Sequence, residues 1–282
     1  MAPIVCRAVS DVDFGAFTDA FNLAYSDYFT PIMMSVPAFH ALIARDNIDL
    51  TASVVALDNE TIVGTGLLGI RDQRGWIGGM GVIPERRRQG IGRHMMHYLL
   101  DRARERQLDT VQLEVIEANH GAHALYREIG FEDMRFLLIL TRDPNVLPDI
   151  PAPYPVEERP VDSLFAYYDS FHEVENCWQR GLQSLKGLAH HIQGWVVLEN
   201  GDVAGYASGW ANEFEVRLAD FATRPDSEQI LVAQSLLAYL HHNAPDAHGA
   251  SYNIADDDPV LPAYEALGYT TSFRQIEMKL AL

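Results

Sequence analysis

The sequence predicts a mixed α/β fold built twice in tandem. Three observations predict it. Stretches of strand-like and helix-like periodicity alternate along all 282 residues. Five prolines, Pro144, Pro148, Pro151, Pro153 and Pro155, crowd one short segment near the middle. And the two halves resemble one another: Val54, Val55, Leu57, Gly64 and Pro84 fall opposite Trp195, Val196, Leu198, Gly205 and Pro225 at a constant spacing of 141. Further on, ALYREIGF at 124–131 matches PAYEALGY at 262–269 at a spacing of 138, which one shortened loop explains. The expected organisation is therefore a first domain over 1–143, an extended proline-rich linker over 144–156, and a second domain over 157–282. Proline lacks an N–H and holds its predecessor extended, so the linker is neither helix nor central strand.

Within a copy the order is helices, an antiparallel strand pair, a third strand, a helix, a strand and a helix. SVVALDNETIVGTGLL at 53–68 reads as strand, turn and strand, and WIGGMGVIP at 76–84 as the third strand. Ile91, Met95, Met96, Leu99, Leu100 and Ala103 recur at helical spacing and mark one apolar face. VQLEVI at 111–116 is a short apolar-rich strand, and a strand, crossover helix and strand pair in parallel. The second half repeats the scheme from GWVVLENGDVAGYAS through VRLADFATRP into a helix.

Composition excludes several function classes. A hydrophobic fraction of 48% with 21% charged residues fits a soluble protein with a substantial core. No apolar run approaches the ~20 residues of a membrane-spanning helix, and MAPIVCRAVSDVDF lacks the pattern of a signal peptide. Cys6 and Cys177 are too few for a disulfide framework or a cysteine-built metal site. The histidine pairs and Asp256–Asp258 make no recognisable metal site, so no metal is expected. A cytoplasmic protein without membrane partners is expected. The formal net charge of -18 argues against nucleic acid as a partner.

Against that background one basic cluster stands out. VIPERRRQGIGR at 82–93 gathers Arg86, Arg87, Arg88 and Arg93 around Gly90 and Gly92, at the junction of a strand and a long helix. A helix start carries partial positive charge, so cations there are mildly unfavourable until an anion arrives. Glycines lacking Cβ let a ligand approach the backbone N–H groups of such a turn, which suits a diphosphate. No GxxxxGK[ST] or complete GxGxxG motif is present, which weighs against nucleotide-hydrolysing and dinucleotide sites.

The turn Arg87-Arg88-Gln89-Gly90-Ile91-Gly92, after a strand ending V-x-P, resembles the R/Q-x-x-G-x-G/A signature of the GNAT superfamily of N-acetyltransferases. LEVIEANHGAHALYREIGF at 113–131 is similar to that family's second motif, with Asn119, Tyr126 and Gly130-Phe131 in register. The specific resemblance covers roughly residues 50–140, and a faded copy covers 195–282. It implies two tandem GNAT-like acyl-CoA N-acyltransferase domains, acetyl-CoA as co-substrate, and a primary amine of a small molecule or peptide as acceptor. Cofactor contacts are implied for Met80, Gly81, Val82 and Ile83 along the third strand, for Arg87, Arg88, Gln89, Gly90, Ile91, Gly92 and Arg93 at the turn, and for Asn119.

Several residues carry two readings. Gly78, Gly79 and Gly81 mark either close approach of a ligand or a bulge. Tyr126 matches the tyrosine that family members use as general acid towards the departing sulfur, although Tyr264 at the same place in the other copy shows it can be kept for packing. Glu114 stands where some members acetylating ribosomal-protein N-termini place a general base; the alternative is an ordinary strand residue. A carboxylate near pKa ~4.3 is about 8 kcal/mol mismatched with an ammonium near ~10.4, so Glu114 needs a raised pKa or a water relay. Asn119 either holds a pantetheine amide or caps a helix. Tyr25, Tyr28 and Phe29, in FNLAYSDYFTPIMM, are candidate acceptor-pocket residues or members of a core helix.

The second copy replaces the arginine turn with DSEQILVA at 226–233, and Tyr252 stands opposite Glu114. One active site is expected, in the first copy. A non-catalytic acyl-CoA-binding protein and a transferase of longer acyl groups remain alternatives, and the chain is expected to be a monomer or homodimer.

Overall fold

The computed structural model describes residues 3–29, 32–144, 148 and 150–282. The chain forms two compact units, and each draws on both halves of the sequence. The first comprises Met1–Val115, Asn119–Met134 and Glu277–Leu282; the second comprises Ile116–Ala118 and Arg135–Ile276. Sequence bounds of 1–143 and 157–282 therefore miss an exchange of chain, because residues 135–142 fold into the second unit and 277–282 into the first. Backbone pairing dictates this, and side-chain pattern does not record which strand pairs with which. The linker expected at 144–156 lies partly outside the described residues, and its last residue, Val156, already opens a strand.

The first unit begins with strand β1 (Val5–Ala8) and helices α1 (Phe14–Ala24) and α2 (Val36–Asp46). Asp13 caps α1 by accepting from Ala16 N at 2.8 Å, and Ser35 caps α2. Strands β2 (Val54–Asp58), β3 (Thr61–Arg71) and β4 (Arg74–Val82) follow as an antiparallel meander. Helix α3 (Ile91–Glu105) then crosses to β5 (Thr110–Ile116), and α4 (His120–Ile129) follows. The six residues that predict the apolar face of α3 are its buried residues. β4 and β5 run parallel, as a crossover requires. Strand order is β1-β2-β3-β4-β5, and the 277–282 segment lies beside β5, with Leu282 N bonded to Asp109 O at 3.0 Å.

Strand β6 (Glu132–Arg142) leads into the second unit, which continues with β7 (Val156–Glu158) and the short helices α5 (Val161–Leu164), α6 (Tyr168–Phe171) and α7 (Leu182–Leu188). The meander β8 (Gln193–Glu199), β9 (Asp202–Ala211) and β10 (Glu215–Thr223) is followed by α8 (Gln229–Asn243), β11 (His248–Ala255), α9 (Leu261–Ala266) and β12 (Thr270–Ala281). Its strand order is β12-β6-β11-β10-β9-β8-β7.

The repeat seen in the sequence is a repeat of backbone events. Asn59 and Asn200 both adopt left-handed φ, 54° and 55°, at the turn of the first hairpin of each copy. Gly130 and Gly268 do so after α4 and α9, at 113° and 84°. Gly64 and Gly205 are glycine for one reason: a Cβ would stand 2.5 Å from the Met95 sulfur in one unit and 2.6 Å from Val232 Cγ1 in the other. In each unit the long helix packs against backbone at that point.

Candidate active site

The site of the first unit begins where two strands part. β4 and β5 are paired only from Arg74–Thr110 to Ile77–Leu113, although β4 continues to Val82 and β5 to Ile116. From Gly78 onward the β5-facing edge of β4 has no strand partner. A cleft of about 730 Å³ opens there, lined by Met80, Gly81 and Val82 on one side and by residues of α4, including Asn119 and Leu125, on the other.

At one end of this cleft lies the arginine turn. Arg88 is held at φ 63° and Gly90 at 79°, and Gly90 is the N-cap of α3 with no side chain to cap it. The first N–H groups of α3 thus lack intrahelical partners and face open space, which is the chemistry of an anion cradle. A Cβ on Gly90 meets no protein atom within 4 Å, so its left-handed φ favours glycine and the space beside it is open. The arginines are less available than the sequence suggests. Arg86 pairs with Asp58 and Arg93 with Glu128. Arg87 reaches Asp27 with both terminal nitrogens, at 2.7 and 2.8 Å, and also the carbonyls of Val82 and Ala24. This bidentate pair holds the Asp27 carboxyl below the usual carboxylate range. Among the described residues Arg88 has no ion-pair partner, and it is exposed beside the start of α4.

At the other end stand Tyr25 and Tyr28, with Tyr126 buried close by. Tyr25 is buried, stacked on Phe21 at 4.5 Å and edge-on to Tyr28 at 5.0 Å. Burial pushes its hydroxyl pKa far up, Tyr28 and Tyr126 add to this, and a hydrogen bond with the Met80 backbone partly offsets it. Tyr126, 7% exposed, is also pushed well above the usual tyrosine value, by burial first and then by Tyr28. Both therefore stay protonated at any physiological pH, able to donate but not to act as bases. Asn119 caps α4, accepting from Ala122 N at 3.3 Å, and its side chain bonds Tyr28.

The strand glycines answer to aromatic neighbours. A Cβ on Gly78 would stand 2.0 Å from the Trp76 ring, and one on Gly81 would stand 3.1 Å from the Tyr25 ring. Gly79 has φ 153° close to the register shift between β3 and β4. The bulge reading holds, and on the α1 side the space is taken by side chains of this chain. Trp76 in turn donates its indole N–H to Glu114 Oε2 at 2.8 Å.

Of the residues expected from sequence, the cleft brings together Tyr25, Tyr28, Phe29, Met80, Gly81, Val82, Arg87, Arg88, Gly90, Ile91, Gly92, Arg93 and Asn119. Ile83, Gln89, Glu114 and Tyr126 do not line it; Ile83 and Tyr126 are buried. Sequence reasoning missed Asp27, Gly121, Glu128 and Trp76. Arg87 gives a signal for Asp27 only in hindsight, since their separation of 60 residues hides the pair.

The matching place in the second unit is filled. Asp220, 141 residues after Gly79, is fully buried and accepts from Tyr206 at 2.7 Å and from Arg180 at 3.3 Å, with His172 at 3.2 Å. Tyr264, the counterpart of Tyr126, is fully buried and donates to Ser251 at 3.1 Å. Helix α8 starts at an acidic N-cap, Glu228. No anion cradle forms there.

A parted parallel strand pair, with a glycine-capped helix start at one end and buried hydroxyls at the other, defines an acyl-thioester-binding α/β fold. A profile of the acetyltransferase (GNAT) family matches residues 16–131. Residues 16–131 thus form a GNAT-family domain, and the fold of the whole chain is that of a tandem GNAT protein. It is similar over 99% of its length, at 16% identity and TM-score 0.70, to 98% of a tandem GNAT protein from the clavulanic acid biosynthesis pathway. It is likewise similar, over its whole length at 16% identity and TM-score 0.69, to 90% of an acetyltransferase from Pyrococcus horikoshii. A 52-residue stretch, 18% of the chain, is 40% identical to the ribosomal protein bS18-alanine N-acetyltransferase of Escherichia coli K12 and spans 35% of that protein's length. Among the described residues no cluster of His, Cys, Asp or Glu suits a metal ion, and no helix is long and apolar enough to cross a membrane.

Proposed function

We propose that the protein transfers an acetyl group from acetyl-CoA to a primary amine of a small molecule or peptide, in the cleft of the first unit. The observation that carries this reading is the unpaired edge of β4, leading from the Gly90 helix start to the buried tyrosines. The cradle and Arg88 suit the pyrophosphate, the Met80–Val82 backbone offers hydrogen bonds to an extended amide-bearing arm, and the reactive end then falls near Tyr25 and Tyr28, with Tyr126 buried close by.

The chemistry is direct attack. The neutral amine nitrogen forms the C–N bond to the thioester carbon, the C–S bond breaks, and the sulfur leaves with the electron pair. Tyr126 does not line the cleft, so it reaches that sulfur once Tyr28 shifts aside, and then supplies a hydrogen bond or proton. Because its pKa is raised above that of a thiol, full transfer is uphill, and hydrogen-bond stabilisation of the leaving sulfur is its larger contribution. The proton from the amine passes to solvent through Glu114, whose carboxylate is held by the Trp76 indole; a water relay is needed, since Glu114 does not line the cleft. The second unit, with its filled site, serves as scaffold.

A panel of amines incubated with acetyl-CoA and monitored by free thiol release tests this. Amine-dependent thiol release that Arg88→Ala and Tyr126→Phe diminish is expected. Tight CoA binding without turnover of any amine would replace the enzyme by an acyl-CoA sensor.

A further inference from the structure

The end of the cleft opposite the phosphate cradle is closed, and the closure is aromatic. Following β4 away from the arginine turn, Val82, Gly81 and Met80 line open space. At Gly79 the α1 side has room for one carbon and little more: a Cβ there would sit in contact with Phe21 Cε2 at 3.4 Å and the Tyr25 hydroxyl at 3.5 Å. At Gly78 the Trp76 indole lies across the strand, and at Ile77 the strand pair with Leu113 is restored. A linear ligand with its anionic end at Gly90 therefore runs out of room beside Met80.

Tyr25 is the group that meets it there. Gly81 leaves just enough space for the ring, since a Cβ would fall 3.1 Å from Tyr25 Cε2 and 3.0 Å from Ala24 Cβ. Phe21 backs the ring from behind and Tyr28 abuts its edge, so it has no free direction in which to swing. The hydroxyl is bonded to the Met80 backbone, the last residue of β4 to line the cleft. A ring fixed on three sides by aromatic and backbone contacts behaves as a wall.

We propose that Tyr25 sets the length of the transferred acyl group, admitting acetyl and excluding chains of four carbons or more. This rests on the acyl-transfer reading above and goes beyond it by assigning acyl-length specificity to one side chain. It is the ring and not the hydroxyl that excludes, so Tyr25→Phe keeps the preference while Tyr25→Ala and Tyr25→Leu relax it. One methylene too many in a formed pocket is worth roughly 10- to 200-fold in kcat/KM. Wild type is accordingly expected to discriminate acetyl-CoA from butyryl-CoA by at least that factor.

The experiment measures kcat/KM for acetyl-, propionyl-, butyryl- and hexanoyl-CoA with one amine, and Kd for each thioester by calorimetry without amine. Wild type and the three variants of the full chain are compared after circular dichroism confirms native folding. Expected is a butyryl-to-acetyl ratio that rises tenfold or more in Tyr25→Ala or Tyr25→Leu and stays within about twofold in Tyr25→Phe. Equal use of acetyl- and butyryl-CoA by wild type overturns the proposal, as does an unchanged ratio in a folded Tyr25→Ala or Tyr25→Leu protein. The Kd series reads out the same exclusion if one variant loses turnover. Failure of every thioester to bind wild type overturns the acyl-CoA reading itself and is seen separately.

Discussion

Substituting Gly78 by alanine is expected to disable the first unit through Trp76. The new Cβ would lie 2.0, 2.3 and 2.6 Å from three atoms of the indole ring, all far inside van der Waals contact. Trp76 is 3% exposed, so the ring cannot move without repacking its surroundings. Overpacking of this kind costs about 1–3 kcal/mol. Displacing the indole also breaks its 2.8 Å bond to the Glu114 carboxylate, and a hydrogen bond to a charged group contributes about 1.5–3 kcal/mol. Together these predict a loss of about 3–6 kcal/mol, a large part of the ~5–15 kcal/mol by which domains are stable. Trp76→Phe alone loses the hydrogen bond and part of the packing. In Gly78→Ala with Trp76→Phe, the smaller ring relieves the clash, so the double variant is less destabilised than the sum of the singles. Urea denaturation of the full chain, followed by circular dichroism, measures all three. A Gly78→Ala protein within about 1 kcal/mol of wild type, or strict additivity, would refute the argument that the indole dictates this glycine.

Three further outcomes follow from the geometry. Tyr126→Phe is expected to lower kcat by roughly 100-fold or more while leaving the KM for acetyl-CoA within a few-fold, read by steady-state kinetics; a change confined to KM would assign the ring to packing. Arg88→Ala should weaken acetyl-CoA binding by roughly 10- to 100-fold in Kd, the equivalent of one charge-assisted contact, measured by calorimetry at fixed salt. His241, buried beside Arg142 and Tyr269, has its pKa lowered from 6.5 to about 4, chiefly by burial and then by Arg142 and His242. The folded state holds it neutral while the unfolded state takes up a proton first, so its contribution is whole above pH ~6.5 and is lost as pH falls towards ~4, to the extent of about 3 kcal/mol. Urea melts between pH 7 and 4.5 should show a shallower decline in His241→Gln than in wild type; parallel declines would remove His241 from the account.

Much of the fold was legible because the signals were local. The helical spacing from Ile91 to Ala103 and the paired turns at Asn59 and Asn200 are each fixed by a few neighbouring residues. Gly90 was legible too, and its φ of 79° adds a conformational reason for glycine to the open space beside it. What stayed hidden involves distant partners. Nothing near Arg87 announces Asp27, and nothing near Gly78 predicts that the indole two residues earlier lies back across it. The exchange of residues 135–142 and 277–282 between units is likewise invisible, since a strand of either copy satisfies the same alternating pattern.

That exchange has a consequence for how the protein is made. Residues 277–282 belong to the unit that carries the cleft. Synthesis runs from the N-terminus at about 5–20 residues per second, so the cleft-bearing unit waits on the ribosome with one edge of β5 bare. During that interval a nascent chain offers an open strand edge to its neighbours on the polysome. The second unit meanwhile already has residues 135–142 in hand. The order of birth thus inverts the order of completion: the second unit gathers its last strand before the unit that carries the cleft.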